Sequence, residues 1–200
     1  ILGIYNLDQK PFSLSQLKAM TQKLAHRGPD GDGYYQKDGI SLAHKRLAIL
    51  DTSDKGSQPM QSRNGEWVVV FNGCIYNYLE LKQELKSLGH TFLSETDTEV
   101  ISEGLAAWGT SLFERLNGMF AIGAWNNRTK ELYLSRDRYG VKPLYYWFNG
   151  KTIVFASEIK AIIAHPDYNI KLNYKALNEY FTFQNLFSYR TFFEGITLLP

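Results

Sequence analysis

Trp67-Val68-Val69-Val70-Phe71-Asn72-Gly73-Cys74-Ile75-Tyr76-Asn77 is the stretch whose reading decides the fold. Trp67 to Phe71 is apolar without a polar interruption, which predicts a strand covered on both faces. Asn72-Gly73 is a pair that tolerates positive φ angles, so a tight turn is expected there. From Asn77 the period changes. Leu79, Leu81, Leu85 and Leu88, set among Glu and Lys, predict an amphipathic helix that stops at Gly89. The strand thus delivers a side-chain amide and a permissive backbone to the head of a helix.

Working outward, Ile1 to Leu7 suits a buried first strand. Leu14, Leu17, Met20, Thr21 and Leu24 recur at helical spacing behind a possible N-cap, Ser13. Arg27 to Gly33 is dense in turn formers. Tyr34–Lys37 and Ile40–Leu50 read as strands turning at Asp38-Gly39, followed by a polar loop from Asp51 to Asn64. Thr91–Leu93 reads as a short strand and Asp97–Trp108 as a helix. Two hairpins follow, Met119–Trp125 with Glu131–Arg136, and Leu144–Phe148 with Lys151–Ala156 around Asn149-Gly150. Glu158–Ala164 and Tyr174–Thr182 read as helices, and the apolar tail from Phe192 to Pro200 carries no stop signal. Strands that arrive as hairpins argue for antiparallel sheets with helices on their faces, an α+β sandwich.

Two hundred residues, 44% of them hydrophobic, fit one well-filled domain. Lys and Arg number 22 against 20 Asp and Glu, without a basic run or acidic tail, which gives no electrostatic case for nucleic acid or a membrane surface. Cys74 is the single cysteine, so no intrachain disulfide or cysteine zinc site is expected, and a reducing, cytoplasmic setting is the natural reading. No signal peptide and no apolar run of about 20 residues is visible. A first residue of Ile rather than Met implies that something upstream has been removed or left out. Walker and Gly-x-Ser-x-Gly signatures are absent, and His26, His44, His90 and His165 are scattered, which favours structural roles for them.

Three polar positions stand at element ends. Arg46 interrupts the apolar run from Leu42 to Leu50, Asn72-Gly73 closes the buried strand, and Asp97 opens a helix. Pattern alone favours a strand-edge charge, a turn and a helix N-cap. The functional alternative assembles a pocket for a free α-amino acid. Arg46 would hold a carboxylate, Asp97 an ammonium group, and Asn72 with the Gly73 N–H an oxyanion.

Six ordered motifs bear on that choice. They are His26-Arg27-Gly28-Pro29-Asp30, Ala43-His44-Lys45-Arg46-Leu47, Asn72-Gly73-x-Ile75-Tyr76-Asn77, Asp97-Thr98-Glu99-Val100, Ser135 to Tyr146, and Phe155 to Ala161. Together they resemble the glutaminase domain of glutamine-dependent asparagine synthetases, the class II glutamine amidotransferases. The resemblance implies an N-terminal-nucleophile hydrolase fold, an αββα sandwich of two antiparallel sheets between helix layers. It implies an N-terminal Cys that attacks the glutamine amide with its own α-amine as base, and ammonia passed to a C-terminal synthetase domain. ATP and Mg would belong to that second domain, with no cofactor in this one. Arg46 and Asp97 would hold glutamine, Asn72 and Gly73 would form the oxyanion hole, and Leu47, Ile49 and Leu50 would line the pocket. Residues 1–190 would form the domain and 191–200 the start of the connection.

The chain departs from the family pattern at its chemistry. Where the family reads Cys-Gly-Ile, this sequence reads Leu2-Gly3-Ile4, and leucine has no nucleophilic atom. Ile1 precedes it, so a peptide nitrogen would stand where the catalytic amine belongs. Cys74 replaces the family's Glu, removing a charged hydrogen bond of about 1.5–3 kcal/mol. Cys74 could be a relocated nucleophile, but no base is identifiable beside it. The expected function is therefore a glutaminase-like domain of an ATP-dependent amide-forming enzyme that does not hydrolyse glutamine. The alternatives are a non-catalytic amino-acid-binding or structural module, with Leu2 itself filling the pocket, and an active domain whose nucleophile was exchanged by engineering. Partners implied are the synthetase domain, glutamine or a related amino acid, and a second copy in a homodimer.

Overall fold

A computed structural model describes residues 1–48 and 53–200. Among the described residues there are ten strands: β1 Leu2–Asn6, β2 Gly31–Lys37, β3 Ile40–Arg46, β4 Met60–Gln61, β5 Trp67–Ile75, β6 Gly118–Asn126, β7 Glu131–Arg136, β8 Tyr145–Phe148, β9 Thr152–Ala156 and β10 Ile196–Leu198. Six α-helices accompany them: α1 Leu14–Gln22, α2 Tyr78–Ser87, α3 Asp97–Trp108, α4 Leu112–Arg115, α5 Ile159–Ile163 and α6 Tyr174–Phe183. One sheet has the order β10-β8-β9-β1-β3-β2 and the other β4-β5-β6-β7. Every pairing is antiparallel.

The alternation along β5 explains the layering. Val68 and Val70 point into the space between the sheets, beside Leu42, Ala121, Trp125 and Phe155. Trp67, Val69 and Phe71 point the other way, onto Val100, Ile101 and Leu105 of α3 and Leu81 and Leu85 of α2. Continuous apolarity therefore marks a strand with a sheet on one side and helices on the other. The first sheet is covered likewise. Leu2 and Ile4 face Leu17 and Met20 of α1 and Ala161 and Ile162 of α5. The result is an α+β sandwich with two sheets between helix layers. Phe155 closes the middle layer, its ring lodged where a side chain on Gly3 or Gly123 would stand, 2.1 and 2.4 Å from an added Cβ.

The strand β5 does not stop at Phe71. It runs to Ile75, with Asn72, Gly73 and Cys74 in register with Ala121, Phe120 and Met119. Gly73 is thus not a turn glycine with positive φ. It is required because a Cβ would lie 2.1 Å from the Met119 carbonyl oxygen. Interstrand crowding, not backbone freedom, selects glycine here. The predicted strand at Thr91–Leu93 is also absent. There the Leu93 and Ser94 N–H groups donate to the Glu99 carboxylate at 2.8 and 2.7 Å, which replaces a ladder with a local cap. β3 ends at Arg46 rather than Leu50, and the loop from Asp51 to Asn64 contributes the two-residue strand β4. Residues 191–200, assigned above to a connection, supply β10 on the edge of the larger sheet.

Candidate functional site

At one end of the sandwich the space between the sheets changes from apolar to polar, because two strands change composition on their inner faces. Along β3 the inward series reads Leu42, His44, Arg46. Along β5 it reads Val70, Asn72, Cys74, and along β6 Ala121 is followed by Met119. His44, Arg46, Asn72 and Cys74, with Met119 of β6, line one cavity of about 470 Å³. Arg27, Leu47, Gln58, Asp97, Thr98 and Lys142 complete much of its wall. A period of two on each strand is enough to bring these groups together.

Asp97 is the first residue of α3, but Thr96 is the N-cap, its Oγ1 accepting from the Glu99 N–H. The Asp97 carboxylate instead accepts the Ile75 N–H at 3.0 Å, fastening the head of α3 to the end of β5. It is 5% exposed. Burial raises its pKa, against the lowering effect of backbone N–H donors from Ile75 and Thr98. An ammonium group reaching it would relieve that penalty. Gln58 sets the neighbouring wall, its Oε1 accepting the Phe71 N–H at 2.6 Å while its Nε2 donates to Thr98 Oγ1 at 3.1 Å.

Asn72 lines the cavity, and among the described residues its Nδ2 is buried without a hydrogen-bond partner. His44 is alike in two respects, buried and with Nδ1 unpaired. Its pKa is pushed down to about 3, chiefly by burial and further by the amino terminus and Arg46, so the ring is neutral at pH 7. Buried polar atoms left unpaired cost about 1–3 kcal/mol each, and a site that receives a ligand is where such a cost is tolerated.

Arg46 lines the cavity with its guanidinium held from behind: Nη2 donates to the Ser53 carbonyl at 2.7 Å, and Nη1 lies 3.5 Å from Ser57 Oγ. Leu47 also lines it. Ile49 and Leu50, expected to complete this wall, lie outside the described residues. Cys74 is at the cavity, and its thiol pKa is raised by burial and by the Asp97 charge, against a smaller opposing effect of Lys142. Such a thiol stays protonated at neutral pH and is a poor nucleophile.

Leu2 does not fill the cavity. It is fully buried in the core under α1 and α5, with Ile4, and it is not part of the cavity wall. Strand alternation turns residues 2 and 4 to the helix side. Ile1 faces the middle core, and its nitrogen donates to Ser157 Oγ at 3.0 Å.

Beside the cavity Glu158 gathers three basic side chains: His26 at 2.7 Å, Arg27 at 2.9 Å and Lys160 at 3.0 Å. Burial alone would raise its pKa, but the hydrogen bonds from Arg27, Lys160 and His26 outweigh it and hold the carboxyl at about 2. Arg136, from the long motif after Ser135, has a scaffold role. It donates to the carbonyls of Lys142, Gly140 and Leu199 at 2.8, 2.6 and 2.7 Å, which positions the loop carrying Lys142.

Comparison with known proteins places this geometry. Residues 1–200 match the model of a glutamine amidotransferase domain. The chain belongs to the glutamine amidotransferase domain family. It is 37% identical over 186 residues to asparagine synthetase [glutamine-hydrolyzing] 1 of Bacillus subtilis, covering 92% of this chain and 29% of that protein. It is also 37% identical over 186 residues to a putative asparagine synthetase [glutamine-hydrolyzing] of Methanocaldococcus jannaschii, covering 83% and 36%. The amidotransferase domain thus spans about a third of the length of these relatives. Among solved structures it resembles glutamine phosphoribosylpyrophosphate amidotransferase of B. subtilis, with a TM-score of 0.68 at 22% identity over 82% of this chain and 42% of that one. That likeness is one of fold, the N-terminal-nucleophile hydrolase sandwich.

The sequence motifs anticipated Arg46, Leu47, Asn72, Gly73, Cys74 and Asp97, and all six stand at one cavity. They did not single out His44, Gln58, Thr98, Met119 or Lys142, which share it. His44 carried a usable signal, since it lies two residues before Arg46 on the same strand face. Gln58 carried none, because it sits in a loop and reaches β5 only through its side chain. Among the described residues no cluster of three or more His, Cys, Asp or Glu could hold a metal ion, and no helix is long and apolar enough to cross a membrane.

Proposed function

We propose that this amidotransferase domain is the glutaminase-like part of an asparagine-synthetase-type, ATP-dependent amide-forming enzyme. The observation that carries the reading is the one cavity that gathers Arg46, Asn72, Gly73 and Asp97, with Asn72 Nδ2 buried and unpaired among the described residues. The thiol at that cavity, Cys74, has its pKa raised rather than lowered and is not the nucleophile in this account. Acyl transfer needs an activated nucleophile, and an oxyanion hole alone forms no covalent intermediate. Asn72 and Gly73 are the oxyanion donors in this account, and ATP and Mg would be bound by the synthetase part.

The test is release of ¹⁵N-ammonium from amide-labelled glutamine by the full-length protein, with and without ATP and Mg. The expected result is release that Cys74→Ser leaves intact and Asn72→Ala lowers about a hundredfold. No release above the rate of the buffer, or release abolished by Cys74→Ser, would overturn the reading.

A second reading is supported by the orphaned Asn72 Nδ2 and the buried Asp97. The cavity keeps groups able to bind an amino acid without turning it over. Calorimetric titration with glutamine, glutamate and asparagine tests it. Saturable binding lost in Asp97→Asn supports the reading, and absence of heat for all three removes it.

A further inference from the structure

Helix α6 is amphipathic, yet the residue it buries fully is Ala176. Tyr174 and Phe181 are 77% and 79% exposed, and Phe183, Phe187 and Tyr189 are exposed as well. The rings adjoin one another. Phe183 and Phe187 stack edge-on with centroids 5.6 Å apart, while Tyr180 meets Phe181 at 6.2 Å and Phe192 at 5.3 Å. Single exposed apolar residues are ordinary, but a run of aromatic rings on one element marks an interaction surface.

The rings are also held in place. The helix ends at Gln184 in the left-handed region, φ 54°. The Glu179 carboxylate then accepts from the Phe187 N–H at 2.7 Å, the Ser188 N–H at 3.0 Å and Ser188 Oγ at 2.8 Å. Arg190 lies 3.8 Å from the same carboxylate, and the Leu198 N–H donates to the Tyr189 carbonyl, tying the segment to β10. This turn is folded around a carboxylate and presents Phe183 and Phe187 to solvent. Rigid aromatic groups of this kind lose little entropy on association and dominate interface energetics.

We propose that the aromatic face of α6 and the 184–189 turn is the docking surface for the synthetase part of the same polypeptide. The inference rests on the reading given under Proposed function. Two observations select this occupant. The relatives are about three times as long as this domain, 29% and 36% of their length being matched, so each carries a large body that must pack somewhere. The aromatic face is joined through Tyr189 to β10 at the edge of the larger sheet, remote in the strand order from β2 at the other edge. A covalently linked partner also meets this face at high effective concentration.

The test is hydroxyl-radical footprinting of the full-length protein, read by peptide mass spectrometry. Tyr76 and Phe148, both at least half exposed and outside the 174–189 segment, serve as internal references. Tyr174 and Tyr189 are expected to oxidise at least fivefold more slowly than Tyr76, and Phe181 and Phe187 at least fivefold more slowly than Phe148. In the double variant Phe181→Asp/Phe187→Asp, protection of Tyr174 and Tyr189 is expected to fall, and proteolysis between the two parts to quicken at least tenfold. Rings that oxidise as fast as the references overturn the docking. So does protection that disappears on dilution to a monomer measured by light scattering, which would assign the face to a second copy. A full-length protein that lacks a synthetase part altogether overturns the function reading instead, and its mass and sequence show this before any footprint is taken.

Discussion

His44 makes the chain sensitive to mild acid. The ring is buried, its pKa is held at about 3 against an ordinary 6.5, and its Nδ1 has no partner to stabilise a proton. In the unfolded chain the same ring takes up a proton near pH 6.5. Between these values the unfolded state binds more protons, so stability is complete above pH 6.5 and is lost as pH falls toward 3. At pH 5 protonation favours the unfolded chain by RT ln(1 + 10^1.5), about 2 kcal/mol. Urea unfolding of the wild-type chain and of His44→Phe, each at pH 7.5 and pH 5, reads this directly. The wild type is expected to lose about 2 kcal/mol more than the variant between the two pH values. His165, whose pKa burial also lowers, is present in both proteins and cancels in the difference. Equal losses would refute the claim that His44 is buried neutral at the cavity.

Other expectations follow from particular contacts. Gly73→Ala places a Cβ 2.1 Å from the Met119 carbonyl oxygen and 2.8 Å from the Phe120 Cα, where only backbone can yield. The cost should be about 3 kcal/mol, lowering Tm by roughly 6–12 °C. Gly89→Ala, with φ +91° and nothing near its Cβ, should cost about 1–2 kcal/mol. Calorimetric melts that rank the two in the reverse order would return Gly73 to a turn. Glu158 carries a folded pKa of about 2 against an ordinary 4.5, so its stabilising effect is present above pH 4.5 and lost as pH falls through 2. Glu158→Gln should flatten the stability profile of the chain across that window, and an unchanged profile would deny the His26, Arg27 and Lys160 cluster its role.

The sandwich was legible because its physical causes are local. Uninterrupted apolarity from Trp67 to Phe71 requires cover on both faces, and Asn149-Gly150 fixes a hairpin whatever surrounds it, with Gly150 at φ +87°. The misreading of Asn72-Gly73 has a cause in the partner strand. A glycine selected by the nearness of Met119 looks, in sequence, the same as one selected by positive φ. Thr91–Leu93 failed for a similar reason, since Glu99, several residues later, takes the backbone donors that a strand would have offered. In the site, Arg46 and Asp97 were legible as polar interruptions at element ends. His44 was within reach of the same reasoning, two residues before Arg46, but Lys142 was not, because its place at the cavity depends on the loop held by Arg136. Tyr174–Thr182 read in sequence as a helix, whereas the exposure of its rings is a property of the fold.

The central claim is a retained amino-acid site at which Cys74 is not the nucleophile, and covalent labelling tests it most directly. The full-length protein is incubated with a diazoketone analogue of glutamine near neutral pH, then mapped by peptide mass spectrometry. The account predicts that Cys74 gains no adduct, because its thiol pKa is raised. A stoichiometric adduct on Cys74, suppressed by excess glutamine, would contradict it.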